Sequence, residues 1–88
     1  ITGVDVSEIQ DFSELLKSKY SNTFNQDISG WDVSAATDMS EMFRGQASFN
    51  QDISGWDVSS VTDCEGFMGN SGLSCENAPN LPTTCTGC

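Results

Sequence analysis

Eleven consecutive residues, Phe24-Asn25-Gln26-Asp27-Ile28-Ser29-Gly30-Trp31-Asp32-Val33-Ser34, recur letter for letter at Phe49 to Ser59, a shift of 25 residues. A verbatim repeat at a period of 20–50 residues marks a chain assembled from copies of one unit, each burying its apolar face against the next. Such chains act through surface and stacking rather than through a buried reactive pocket. The repeat reaches beyond the identical block. Ile1-Thr2-Gly3-Val4-Asp5-Val6-Ser7 reads onto Ile28 to Ser34 at a shift of 27, because the first copy carries two extra residues within Lys17–Thr23. Ile9, Asp11, Phe12, Leu15 and Leu16 match Ala36, Asp38, Met39, Met42 and Phe43, and then Val61, Asp63, Cys64, Phe67 and Met68. The chain divides into a partial copy (1–23), two full copies (24–48 and 49–73) and a tail (74–88).

Each copy predicts one short strand and one helical turn. Trp31-Asp32-Val33 and Trp56-Asp57-Val58 alternate apolar and polar residues, as a half-buried strand does. Asp11-Phe12-Ser13-Glu14 and Asp38-Met39-Ser40-Glu41 have capping-box spacing and predict helical turns near 11–16 and 38–43. In the third copy Gly66 stands where that Glu should be, which predicts a weaker helix. The expected fold class is therefore an α/β repeat solenoid, with parallel strands at 4–6, 31–33 and 56–58 about 4.8 Å apart and the Cys-rich tail as a cap.

The motif F-N-Q-D-I-S-G-W-D-V-S followed by T-D-M-S-E-M-F resembles the repeat of the BspA-like leucine-rich-repeat surface proteins. That repeat also occurs in mycoplasma surface lipoproteins and in secreted proteins of algae and other protists. The resemblance covers residues 1–73. It implies a short leucine-rich-repeat-like solenoid at the cell surface or outside the cell, with a role in adhesion or surface structure.

Cysteine and charge narrow the setting. Four cysteines in 88 residues, three of them in the tail, favour disulfides among Cys64, Cys75, Cys85 and Cys88, with three connectivities open. The competing reading is zinc, since Cys85-Thr86-Gly87-Cys88 has C-x₂-C spacing; Cys64 and Cys75 do not supply a second such pair, and the chain has no His. Cys64 occupies the inward slot of Phe12 and Met39, so its partner folds over the last copy. A net charge of −10, with only Lys17, Lys19 and Arg44 positive, excludes nucleic acid and disfavours an anionic membrane. No apolar run is long enough for a membrane insertion or a signal peptide, and a start at Ile1 reads as a processed chain or an excised fragment. No Asn-x-Ser/Thr sequon occurs, while O-linked sugar on Thr83, Thr84 or Thr86 stays open.

The recurring residues give the candidate sites. Without His, a Ser or Cys nucleophile lacks its usual base, and the carboxylates recur with the repeat as scaffold residues do, so no catalytic function is expected. Stacking places Asp5, Asp32 and Asp57 in one column and Asp11, Asp38 and Asp63 in another. Each Asp caps a turn, or else calcium lies between copies on Asp32, Asp57, Asp38 and Asp63; no other cofactor is implied. Phe24 with Phe49, Trp31 with Trp56, and Asn25 with Asn50 form ladders, the aromatic ones as core and the amide one bonding backbone across copies. The N-terminal end shows an apolar edge at Ile1, Val4, Val6 and Ile9, a template for another chain. Two functions follow. One is an extracellular structural subunit that associates end to end with itself into a filament or surface assembly, a neighbour's tail filling the gap before Ile1. The other is a monomeric cell-surface adhesion module for a protein or glycan ligand.

Overall fold

The triplet Asp-apolar-Ser occurs seven times, at Asp5, Asp11, Asp27, Asp32, Asp38, Asp52 and Asp57, and it organises the fold. In a computed structural model, which describes residues 5–17 and 23–88, all seven triplets take the same shape. The Asp Oδ1 accepts the Ser backbone N–H at 2.9–3.1 Å and the Ser hydroxyl at 2.5–2.7 Å. A short polar side chain that bonds its own backbone two residues on fixes a turn without help from a helix or sheet. The residue between the two points inward: Val6, Phe12, Ile28, Val33, Met39, Ile53 and Val58 are all buried. Each triplet thus bends the chain and delivers one apolar side chain to the core.

These turns, not helices and strands, build the molecule, and the α/β solenoid expected from the sequence is overturned. Among the described residues there is no sheet. Residues 31–33 and 56–58 form no ladder, and of the expected 4–6 strand residue 4 lies outside the described residues. Residues 11–16 and 38–43 turn without becoming helical. Helix is confined to the tail, as a 3-10 turn Cys75–Asn77 and the four-residue α1, Thr83–Thr86. The physical reason lies at one repeat position. Glu14 and Glu41 sit in left-handed backbone at φ 57° and 55°, and Gly66 occupies the same position at φ 70°. A left-handed residue ends a right-handed turn, so the capping-box reading fails. Both glutamates instead pair with a cation three residues on, Glu14 with Lys17 at 3.1 Å and Glu41 with Arg44.

The result is a disulfide-closed body of 30 × 27 × 22 Å. Its copies lie side by side through isolated parallel bridges, Asp11 to Asp38 and Asp38 to Asp63. Turn-to-turn hydrogen bonds extend that contact. Phe12, Glu14 and Leu16 donate their N–H groups to the carbonyls of Asp38, Ser40 and Met42, and Met39, Glu41, Phe43 and Gly45 to those of Asp63, Glu65, Phe67 and Gly69, all at 2.7–3.0 Å. The core between them holds Phe12, Met39, Met42, Phe43, Phe49 and Phe67, each fully buried. Gly72 closes the third copy where nothing larger fits, because a Cβ there would lie 2.2 Å from the Ala47 carbonyl oxygen.

Candidate functional site

The ladder residues meet as pairs. Trp31 and Trp56 lie parallel with centroids 6.5 Å apart, and Phe24 and Phe49 stack at 5.7 Å. Both tryptophans and Phe49 are buried, and Phe24 packs half-buried against them, so these rings belong to the core and offer no ligand platform. The Asn25 Oδ1 accepts the Asn50 N–H at 3.1 Å, and Gln51 Nε2 donates to the Asn25 carbonyl at 3.0 Å. The tail continues this line: Ser74 N–H donates to Asn50 Oδ1 at 2.9 Å, and Asn77 Nδ2 to the Asn50 carbonyl at 3.2 Å. Trp56 Nε1 donates to the Ile28 carbonyl at 3.2 Å, whereas the buried Trp31 Nε1 has no acceptor. One copy earlier, the position of Ile28 is held by Ile1, outside the described residues.

The acidic columns are engaged in turns. For Asp11, Asp27, Asp32, Asp52 and Asp57 the Ser hydroxyl, and then the Ser backbone N–H, hold the carboxyl below the usual carboxylate range. For Asp5 the Ser7 backbone bond is the larger cause. Asp32 also feels Asp5 and Asp57, whose charges push it back up, so the column exists but the serine bonds outweigh it. Glu41 is held low chiefly by its hydrogen bond from Arg44, with help from Lys17 at 3.7 Å. The calcium alternative on Asp32, Asp57, Asp38 and Asp63 would need converging carboxylates. Among the described residues no three His, Cys, Asp or Glu side chains gather in a way that could hold a metal. The surface of the described residues includes open hollows of about 400 Å³ beside Glu41, Arg44, Glu65 and Gly66, and of about 220 Å³ beside Trp56, Ser59 and Asn80.

The cysteines pair as Cys64–Cys85 and Cys75–Cys88, leaving no free thiol and removing the zinc reading. As the inward slot of Cys64 predicts, its partner lies in the tail. Cys64–Cys85 holds the tail over the third copy and Cys75–Cys88 closes a loop within the tail; there Leu81 is buried and Ala78 and Cys85 pack against the core. Leu81 in the core is something the repeat pattern could not supply, because it lies beyond the copies, in the tail.

The opposite end differs. The described residues include two exposed large hydrophobic side chains, Leu15 (49 %) and Ile9 (39 %), both in the first copy. The residues that repeat Leu15, Met42 and Phe67, are fully buried; of those that repeat Ile9, Ala36 is buried and Val61 half-buried. Of the edge expected from the sequence, Val6 lies in the core, Ile9 is at the surface, and Ile1 and Val4 fall outside the described residues. The repeat pattern placed both Ile9 and Leu15 at inward positions, and both are exposed. The 27-residue register of Leu15 with a buried Met was visible, but register alone does not give the exposure of a side chain in one particular copy.

The family model described as Mycoplasma protein of unknown function, DUF285, matches residues 1–77. The chain belongs to this family. The DUF285 match runs through all three copies and ends at Asn77, the last tail residue bonded to Asn50. No curated protein and no solved structure matches the chain.

Proposed function

We propose that this chain is a non-catalytic extracellular structural subunit that works by protein–protein contact, associating with a second copy of itself through the uncovered end of its first copy. The observation that carries this reading is the exposure of Leu15 and Ile9 against the burial of Met42, Phe67 and Ala36 at the same repeat positions. Apolar side chains at one end of an otherwise acidic body are a contact surface in search of a cover. The far end is closed by the chain's own tail, so patch meets patch about a two-fold axis and the assembly closes at a pair. An open filament in which a neighbour's tail fills the first copy is disfavoured, because Cys64–Cys85 ties the tail to its own third copy and Cys75–Cys88 closes the tail on itself.

An extracellular location is supported by the two disulfides, which persist in oxidising surroundings, and by the likeness of the repeat to BspA-like surface proteins. A non-catalytic role is supported by the absence of His from the chain and by carboxylates committed to turns. Sedimentation equilibrium over a wide concentration range tests the contact. The expected result is a monomer–dimer equilibrium that Leu15→Glu abolishes while leaving the melting temperature unchanged. A chain that stays monomeric at millimolar concentration would favour the monomeric adhesion module instead.

A further inference from the structure

The third copy ends in a row of open donors. In the second copy the N–H groups of Met39, Glu41, Phe43 and Gly45 each reach a carbonyl of the third copy. The groups at the same positions one copy on, Cys64, Gly66, Met68 and Asn70, have no hydrogen-bond partner. On the first copy the matching row is open in the other sense: among the described residues nothing donates to the carbonyls of Asp11, Ser13 and Leu15, although their counterparts at Asp38, Ser40 and Met42 accept at 2.7–3.0 Å. Donor row and acceptor row have the same spacing, because both are copies of one contact that the chain already makes twice.

The tail lies over the third copy without pairing with its donor row. Leu81, Ala78 and Cys85 take the space over the core that inward side chains of a further copy would need. Yet beyond Asn77 the tail sends no hydrogen bond to residues 62–70; its N–H groups at Leu81, Cys85, Thr86 and Gly87 bond within the tail. It covers the core and leaves the edge unpaired.

We propose that the tail is a disulfide-held stop, and that opening Cys64–Cys85, the bridge that ties the tail to the third copy, turns the third copy's edge into an acceptor for the first copy of a second molecule, in the register used inside the chain. Gly66 and Met68 then donate to the Ser13 and Leu15 carbonyls of the incoming copy, as Glu41 and Phe43 donate to Glu65 and Phe67. The partner is this same chain, and growth is head to tail. Each bridge opens by taking two electrons and two protons from a dithiol, which is itself oxidised to a disulfide, and leaves two thiols on the protein. The inference rests on the reading of the first-copy end as a contact surface, and it adds what limits the assembly.

The experiment compares the full-length chain oxidised and in excess dithiothreitol, by analytical ultracentrifugation with amide exchange read by NMR. The oxidised arm tests the contact surface, and the reduced arm tests the stop. Expected is a limit at the dimer when oxidised and, when reduced, a mass that climbs past the dimer with concentration. The amides of Gly66 and Met68 should then slow by about tenfold or more relative to dilute reduced protein. Met68→Glu should block that growth and leave the oxidised dimer intact. If reduction unfolds the chain, the double substitution Cys64→Ala/Cys85→Ala, which keeps Cys75–Cys88, decides the matter under oxidising conditions. A folded, tail-released chain that never exceeds the dimer overturns the proposal, as does growth that leaves Gly66 and Met68 exchanging freely.

Discussion

Within one Asp-apolar-Ser turn, an exposed carboxylate holds a hydroxyl and an N–H while the residue between them is driven into the core. The ionised carboxylate accepts both bonds more strongly than the neutral acid does, so the turn is sensitive to acid. Asp32 is depressed first by the Ser34 hydroxyl and second by the Ser34 N–H. A folded carboxyl below its unfolded value, about 3.9 for Asp, contributes stability that is present above that value and is lost as pH falls through the folded one. The melting temperature should therefore drop as pH goes below about 4. Ser34→Ala should move Asp32 up toward the ordinary range, as read from its carboxyl ¹³C shift. It should also lower the melting temperature at pH 7, with the deficit gone once Asp32 is protonated in both proteins; an unchanged Asp32 titration would refute the turn as its cause. The two tryptophans give a second residue-level contrast. Trp56→Phe removes a buried hydrogen bond to the Ile28 carbonyl, which keeps only the Trp31 backbone N–H, whereas Trp31→Phe removes a donor that has no acceptor. By chemical denaturation Trp56→Phe should cost about 1 kcal/mol more than Trp31→Phe; equal costs would mean that Trp31 is bonded after all.

At the scale of elements, the position shared by Glu14, Glu41 and Gly66 decides between a helical turn and the turn that forms. In a helix, Ala would be more stable than Gly by about 1 kcal/mol. In left-handed backbone the order reverses by a similar amount, because a Cβ is strained there. Glu14 stands at φ 57° and is exposed, so Glu14→Gly should be more stable than Glu14→Ala by about 1 kcal/mol. Thermal melts of the two variants read the sign directly, and Ala above Gly would restore the helical reading. The sequence carried this information in Gly66, which reads as a lost helix cap but is the residue best suited to that backbone. Periodicity located the copies, the inward slots of Phe12, Met39 and Cys64, and the aromatic and Asn pairs, because identical residues at a fixed shift must meet alike. Secondary structure was not legible in the same way. The spacing of Asp38 and Glu41 suits a capping box and an Asp-x-Ser turn equally, and only the backbone angle at Glu41 separates them. The exposure of Leu15 was hidden for a different reason: a repeat describes what each copy is, and the exposure of one side chain depends on what packs against that copy.

For the whole molecule, charge and apolar contact act against each other. Every chain carries a net charge of −10, so bringing two together opposes like charges, and that repulsion acts over about 10 Å at 0.1 M salt and about 3 Å at 1 M. The proposed contact itself is made by Leu15 and Ile9, whose burial salt does not weaken. The ion pairs near that end, Lys17 with Glu14 and with Glu41, lie within one chain and supply no bond between chains. Association should accordingly strengthen as salt rises, with a dissociation constant that falls several-fold between low and molar sodium chloride. A contact held by salt bridges between chains would weaken over the same range, so a titration of sedimentation behaviour against salt separates the two. The sign also bears on the tail. Opening the disulfides leaves the net charge essentially unaltered at neutral pH, since thiols are largely protonated there. Growth past the dimer in the reduced chain should therefore show the same dependence on salt as the dimer itself. A reduced assembly that dissolves in molar salt would be held by charge rather than by paired edges and buried leucine, and the end-on contact would have to be abandoned.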